Sequence, residues 1–244
     1  MTYTTHFENS PDVGVFAIMT NNYCISAPSP AAHYFSLLES TLAPHGVAAF
    51  RSTIANSKLL GRLCAGNSKG LLLPSGVTDS EFLNIRNALP DDVVVQKLDE
   101  RLSALGNIIA CNDNFCLIHP DAERETEEVV ADALGVEVVR HAVGGVGLVG
   151  SLMKVTNKGC LVGSNVSREE QEELASLLGV PVCSGTVNKG GQLVSGGILV
   201  NDFVGFVGRD CSNTEIGVVQ AIFGLQMNQN AVDDMRKAFQ DGFL

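Results

Sequence analysis

Basic residues are scarce in this chain: Lys and Arg number 16 against 27 Asp and Glu, for a formal net charge of -11. Nucleic-acid binders displace counterions with clustered Lys and Arg, so this balance excludes general affinity for a phosphate backbone and favours a basic protein surface as partner. C-x-x-C spacing is missing as well. The seven cysteines, at 24, 64, 111, 116, 160, 183 and 211, are odd in number and scattered, which argues against zinc binding or dithiol exchange and leaves them as small core hydrophobes in a reducing compartment. Nowhere do about 18 apolar residues run together, and the first ten residues lack a basic segment followed by an apolar one. The expectation is a protein of cytosol or nucleus with no membrane span. Asn165-Val166-Ser167 matches a glycosylation sequon, but without a secretory signal it reads as the start of a helix. After Thr214 there is no Ser, Thr or Tyr, so phosphorylation of a C-terminal tail is not expected.

What is abundant is apolar material, 45% of the residues, arranged in a repeat. A glycine, an apolar run, an asparagine-containing turn and a second apolar run recur from Gly14, Gly61, Gly106, Gly150 and Gly197, at intervals of 47, 45, 44 and 47. The asparagines Asn21, Asn67, Asn112, Asn157 and Asn201 keep the same beat. Short apolar runs bounded by turn residues read as strands, so each turn joins two of them. Helical spacing follows each pair, at Tyr34, Leu37, Leu38 and Leu42, then Phe82, Ile85 and Leu89, and in three later copies. Thr78 with Glu81, Ser167 with Glu170 and Ser212 with Glu215 have capping-box spacing. Pro44, Pro90, Gly135, Gly179 and Gly224 stop the helices.

One such unit cannot bury both of its apolar faces, and the terminal units are as apolar as the central ones. A closed ring removes exposed sheet edges, so the expected fold is a five-bladed, pseudo-fivefold α/β propeller. The domain spans 1–225, with repeats of approximately 1–47, 48–92, 93–137, 138–182 and 183–225, and 226–244 forms a tail outside the fifth unit.

Motifs with catalytic overtones are better read as structure. Gly145 to Gly150 satisfies G-x-G-x-x-G, but a dinucleotide site needs a helix to follow, and here Leu152 to Val155 leads into the Asn157-Lys158-Gly159 turn, so the glycines serve a tight bend between blades. His6-Phe7-Glu8 is placed in the first strand, with His and Glu on one face as a base and its orienting carboxylate would be, or as ordinary rim residues. His119 and His141 lack metal-ligand spacing. The acidic runs Asp121–Glu128 and Glu169–Glu173 suit helix starts and would give the helical rim a negative field. Val15, Arg62, Asn107, Ser151 and Ile198 follow the repeat glycines and should surround one mouth of the ring. Arg62 and Asn107 are the natural polar anchors there for a protein partner, or else ordinary solvent-exposed loop residues.

Several strings in order, Phe7-Glu8-Asn9, Leu102-Ser103-Ala104-Leu105-Gly106-Asn107, Cys111-Asn112-Asp113, His119-Pro120-Asp121, Glu125-Thr126-Glu127-Glu128, Gly185-Thr186-Val187-Asn188 and Val200-Asn201-Asp202, resemble the translation initiation factor 6 family. The likeness runs from about residue 7 to 225. It implies a pentein fold and a role without catalysis, cofactor or metal. The family resemblance further implies a monomer that binds the intersubunit face of the large (60S) ribosomal subunit beside the sarcin-ricin loop, through ribosomal proteins uL14, uL3 and eL24. Occupancy there excludes the small (40S) subunit. The family also takes part in large-subunit biogenesis and export from nucleolus to cytoplasm, and is released by an elongation-factor-like GTPase with the Shwachman-Diamond syndrome protein. Carried over residue by residue, the uL14-facing positions are Arg62, Leu105, Asn107, Leu152 and Leu193, with Leu152 standing where the family can show an aromatic. The rival expectation is a pentein enzyme that modifies guanidino groups with a channel Cys, a His and carboxylates.

Overall fold

The computed structural model describes residues 1–225, and the repeated unit closes into a ring. The chain begins with β1 (Thr2–Thr5) and a 3-10 turn at Val13–Val15, then forms β2 (Ala17–Met19), β3 (Tyr23–Ser26), helix α1 (His33–Leu42) and β4 (Ala48–Arg51). One-turn helix α2 (Leu60–Leu63) leads into β5 (Ala65–Gly66), β6 (Gly70–Pro74), α3 (Asp79–Ala88) and β7 (Val94–Leu98). The pattern continues with α4 (Leu105–Ile108), β8 (Ile109–Cys111), β9 (Phe115–Ile118), α5 (Arg124–Leu134) and β10 (Glu137–Arg140). A fourth copy has α6 (Val149–Leu152), β11 (Met153–Val155), β12 (Cys160–Gly163), α7 (Arg168–Leu178) and β13 (Val182–Gly185). The last has α8 (Val194–Gly197), β14 (Ile198–Val200), β15 (Gly205–Gly208) and α9 (Asn213–Ile222). The tail expected over 226–244 lies outside the described residues.

Among the described residues the strands form five three-stranded sheets, β2-β3-β4, β5-β6-β7, β8-β9-β10, β11-β12-β13 and β14-β15-β1. Inner and middle strands pair antiparallel across the asparagine turn, and the helix carries the chain over to an outer strand parallel to the middle one. The fifth sheet borrows its outer strand from the N-terminus, with Thr2 opposite Gly205 and Thr5 opposite Gly208. The first strand thus completes the last blade, which ties the ring shut. This is the five-bladed α/β propeller that the repeats called for, and the pentein fold that the family resemblance implied.

Each blade has one strand more than the sequence pattern showed. Outer strands such as β4 and β13 are half-buried along their length, and their apolar signal is correspondingly weak. They also set the phase of the repeat: β4 falls in the second sequence unit but completes the first sheet. The first strand ends at Thr5, so His6-Phe7-Glu8 is not in it. Phe7 instead pairs with Ser10 across a tight turn, and Glu8 takes φ 53.

Thr78 and Ser212 form complete capping boxes with Glu81 and Glu215. Ser167 accepts from the Glu170 amide, but the Glu170 carboxylate reaches across to accept from Gly144 N. Glu81 and Glu215 do both tasks: Glu81 also accepts from Ala55 N and Asn56 N, and Glu215 from Lys189 N and Gly190 N. Blade three reverses the arrangement. Glu100, in the loop, accepts from Thr126 Oγ1 and Glu123 N at the helix start. Carboxylates therefore fasten the turns that precede the next blade, whose residues at 55, 56, 188 and 189 have positive φ. The core is largely aliphatic, with Leu71, Leu72 and Leu73 of β6 wholly buried alongside the aromatics Phe7, Tyr23, Phe206 and Phe223.

Candidate functional site

Inner strands line a central channel and run in one direction, from a helical turn at one mouth to an asparagine turn at the other. The helical turns hold Gly14, Gly61, Gly106 and Gly150, and their packing leaves no space for a side chain. A Cβ at Gly61 would collide with Gly14 O, one at Gly106 with Gly61 O, and one at Gly150 with Gly106 O. Gly14 closes the circle against Ser195 O. The fifth member of this ring is therefore Ser195 and not Gly197, so the intervals become 47, 45, 44 and 45. Ser195 keeps its hydroxyl because that group donates to Ser151 O at 3.1 Å. Ile198, expected at the mouth, is instead buried in β14.

One residue further on stand Val15, Arg62, Asn107, Ser151 and Gly196. Arg62 extends across the opening: its Nη1 lies 3.0 Å from Ser195 Oγ, 3.2 Å from Ser151 Oγ and 3.4 Å from Asn107 Oδ1. Ser151 Oγ donates to Asn107 Oδ1 at 2.9 Å. Burial lowers the Arg62 pKa from its usual value, and the charge of Asp12 acts against that shift. Three other blades are thereby laced to the second by one guanidinium, which stoppers this mouth. One residue before the glycines are Val13, Leu60, Leu105, Val149 and Val194, all buried. Before those come Asp12, Leu59, Ala104, Leu148 and Leu193, at the helix-start position of each turn. Leu59, Leu148 and Leu193 are 44%, 42% and 54% exposed, with Val146 beside Leu148 in the chain at 42%. An exposed aliphatic arc thus surrounds a cationic stopper, the composition of an interface with another macromolecule.

Arg62, Asn107 and Leu193 are brought to one mouth. Leu105 and Leu152 are not available to a partner: Leu105 is 0% exposed and Leu152 7%. Leu105 faces inward because it precedes its ring glycine, and Leu152 packs with Val149 and Met153 in the fourth-blade core. Leu59 and Leu148 were missed, although they share the register of Leu193 at the 47, 45, 44 and 45 intervals.

The opposite mouth is closed by polar side chains in two tiers. Thr20, Asn67, Asn112, Thr156 and Asn201 form the inner one, where Asn67 Nδ2 donates to Asn112 O, Asn112 Nδ2 to Thr156 O and Asn201 Nδ2 to Thr20 O. Asn21, Ser68, Asp113, Asn157 and Asp202 form the outer one. The repeat asparagines are therefore divided between two registers, Asn67, Asn112 and Asn201 in the inner tier and Asn21 and Asn157 in the outer. Asp113 accepts from Ser68 N, Ser68 Oγ, Asn21 Nδ2 and Asn157 Nδ2, and Asp202 accepts from both asparagine amides and from Asn157 N. Burial would raise the Asp113 pKa, but hydrogen bonds from Ser68, Asn157 and Asn21 hold it below the usual carboxylate value.

Between the mouths lies a cavity of about 60 Å³ bordered by Cys64, Cys111 and Lys154. Small-molecule sites begin near ~300 Å³, so this space suits a few waters rather than a guanidino substrate. Burial pushes the Cys64 thiol up to about 12, with the Lys154 charge opposing, and burial lowers the Lys154 pKa. A thiol with that pKa is protonated near neutrality and is a poor nucleophile. Among the described residues no His borders the cavity. His6 lies beside His33, at 6.1 Å between rings, and Glu8 pairs with Lys58 at 2.9 Å on the surface.

Residues 2–222 match the model of the eIF-6 family. The chain is 50% identical over 226 residues to eukaryotic translation initiation factor 6 of Entamoeba dispar, covering 93% of this chain and 94% of that protein. It is 46% identical to eukaryotic translation initiation factor 6 of Ostreococcus lucimarinus, covering 96% of each, and 46% identical to factor 6-2 of Arabidopsis thaliana, covering 98% of each. Among solved structures, the N-terminal domain of ArgZ, a cyanobacterial arginine dihydrolase, aligns with TM-score 0.45 and 13% identity over 71% of this chain and 68% of that one. That likeness carries no functional weight.

Proposed function

Because this chain belongs to the eIF-6 family, we propose that it binds the large ribosomal subunit on its intersubunit face and blocks joining of the small one. The docking surface is the Arg62 mouth, and the carrying observation is its exposed arc of Leu59, Leu148 and Leu193. Apolar groups left uncovered at three equivalent positions gain by burial against a partner. A formal charge of -11 favours a basic counterpart and speeds encounter. Ribosomal protein uL14 is that counterpart in this reading, with uL3, eL24 and the sarcin-ricin loop nearby. The mechanism is steric: a rigid ring occupies space the small subunit needs, and no bond is made or broken.

Late large-subunit maturation, passage from nucleolus to cytoplasm, and eviction by an elongation-factor-like GTPase with the Shwachman-Diamond syndrome protein complete the proposal. Sucrose-gradient sedimentation with separated subunits tests it. Wild type should migrate with the large subunit and suppress joining, while Leu59→Glu with Leu193→Glu should remain at the top of the gradient. Equal co-migration of the double variant would move the interface elsewhere, and wild type failing to sediment would end the reading.

A further inference from the structure

Cys111 and Cys116 have four residues between them and no motif spacing, yet β8 and β9 place them opposite one another in antiparallel register. The ladder defines the kind of pair they make. Asn112 N donates to Phe115 O, and His119 N to Ile108 O. Counting inward from those hydrogen-bonded pairs, 112 with 115 and 108 with 119, places Ala110 with Leu117 in a hydrogen-bonded position and Cys111 with Cys116 in a non-hydrogen-bonded one. Opposed residues share a sheet face. Non-hydrogen-bonded partners also bring their Cα atoms to about 4.5 Å, inside the ~4.4–6.8 Å window of disulfides. Side-chain contact between the two thiols is the leading cause of the raised Cys116 pKa, followed by burial.

We propose that Cys111 and Cys116 are an oxidative modification site that closes a cross-strand disulfide when the protein meets a peroxide. The two sulfurs differ in access. Cys116 is wholly buried, whereas Cys111 is half-buried and borders the channel on the side of the polar mouth. Cys111 is therefore the sulfur that a small oxidant reaches first, with Cys116 resolving it. In the first step the Cys111 thiolate attacks one peroxide oxygen, the O–O bond breaks, and sulfenic acid and water form once a proton is taken up. Cys116 sulfur then attacks Cys111 sulfur, the S–S bond forms, the S–O bond breaks, and a second water leaves with the Cys116 proton. Two thiols are oxidised by two electrons and one hydrogen peroxide is reduced to two waters.

Closure would lock the hairpin whose turn carries Asp113, the carboxylate that binds Asn21, Ser68 and Asn157. Cross-strand disulfides are strained and easily reduced, which suits a reversible modification rather than a permanent staple. Because the pair lies at the end of the channel away from the leucine arc, this inference stands apart from ribosome docking.

The test treats the full-length protein with one equivalent of hydrogen peroxide, blocks remaining thiols with iodoacetamide and digests with trypsin without reductant. Cleavage after Arg101 and Arg124 yields one peptide that holds both cysteines. That peptide is expected two hydrogens lighter than its reduced form, unalkylated at both positions, and restored by dithiothreitol. Alkylation at both positions while Cys183 or Cys211 has oxidised would overturn the proposal, as would Cys111 joined to Cys64. Cys116→Ala, a small apolar replacement in the same core, should abolish the lighter peptide and leave Cys111 trapped by dimedone as sulfenic acid. A disulfide still formed at Cys111 in that variant would also overturn it.

Discussion

The two mouths of the ring are built at opposite ends of the same strands and solve opposite problems. At the asparagine mouth, Asp113 and Asp202 converge with Asn21 and Asn157 and bind one another's groups, so the polar atoms there are spent inside the molecule. At the glycine mouth Arg62 is likewise spent on Ser195, Ser151 and Asn107, but the arc outside it is aliphatic and uncovered. Hydrogen bonds already made contribute little to a new partner, whereas exposed leucines gain on burial. On the proposed reading the first mouth is structural and the rim of the second is for recognition, with Arg62 as the wall against which that rim is built.

The largest break in this comparison should come from the glycine ring. Gly61→Ala drives a methyl into the Gly14 carbonyl, a backbone clash that no rotamer relieves. We expect a loss of more than about 4 kcal/mol, read as insolubility or loss of the cooperative thermal transition. Gly217→Ala, on the open face of α9, should be stabilising by about 0.5–1 kcal/mol in the same assay.

Next is acid. Glu81 and Glu215 are 8% and 7% exposed, and burial alone would raise their pKa. Bonds from Thr53, Asn56 and Thr78 to Glu81, and from Ser212, Gly190 and Thr186 to Glu215, prevail and bring each down to about 2. A folded pKa below the unfolded one gives stability that is complete above the unfolded value of 4.5 and lost as pH falls towards 2. Each clamp is worth roughly 3 kcal/mol on that basis. Urea midpoints should hold from neutral pH to about pH 5 and fall steeply from there towards pH 2, and Glu81→Gln should be less stable at pH 7 with a shallower fall. A parallel pH profile would remove Glu81 from the account.

At the asparagine mouth, Asp113→Ala strands the Ser68 amide and hydroxyl and leaves the Nδ2 groups of Asn21 and Asn157 with Asp202 as their one acceptor. The expected cost is about 2–3 kcal/mol in a denaturant titration. Docking should persist at temperatures where the ring is folded, since this end faces away from the leucine arc.

The register of these side chains explains how far the sequence could be read. Gly14, Gly61, Gly106 and Gly150 announced the ring because a missing Cβ is the physical requirement there. In blade five that place is taken by Ser195, which has a Cβ and is held by its hydroxyl on Ser151 O, so the glycine pattern slid two residues to Gly197 and carried Ile198 to the mouth. Asn21 and Asn157 occupy one tier while Asn67, Asn112 and Asn201 occupy the other, which a single-residue beat cannot separate. Outer strands such as β4 were invisible because both faces are only half covered. Arg62, Asn107 and Leu193 were located by resemblance and repeat position together. Leu105 and Leu152 failed because a one-turn helix points successive residues in different directions, and burial at a single position is not encoded in residue type.

The smallest expected effect on stability is also the sharpest test of the contrast. Leu193→Ser removes an exposed side chain at a helix-start position, where a serine can accept from the free amides of α8. Stability should change by no more than about 0.5 kcal/mol. Leu59→Ser and Leu148→Ser should behave alike, since they hold equivalent positions in α2 and α6. If the rim is for recognition, the triple serine variant keeps its thermal midpoint and loses affinity for the large subunit, measured by co-sedimentation across a protein titration. If it melts early instead, the leucines are packing against the ring itself, and the division of labour between the mouths fails where it was drawn.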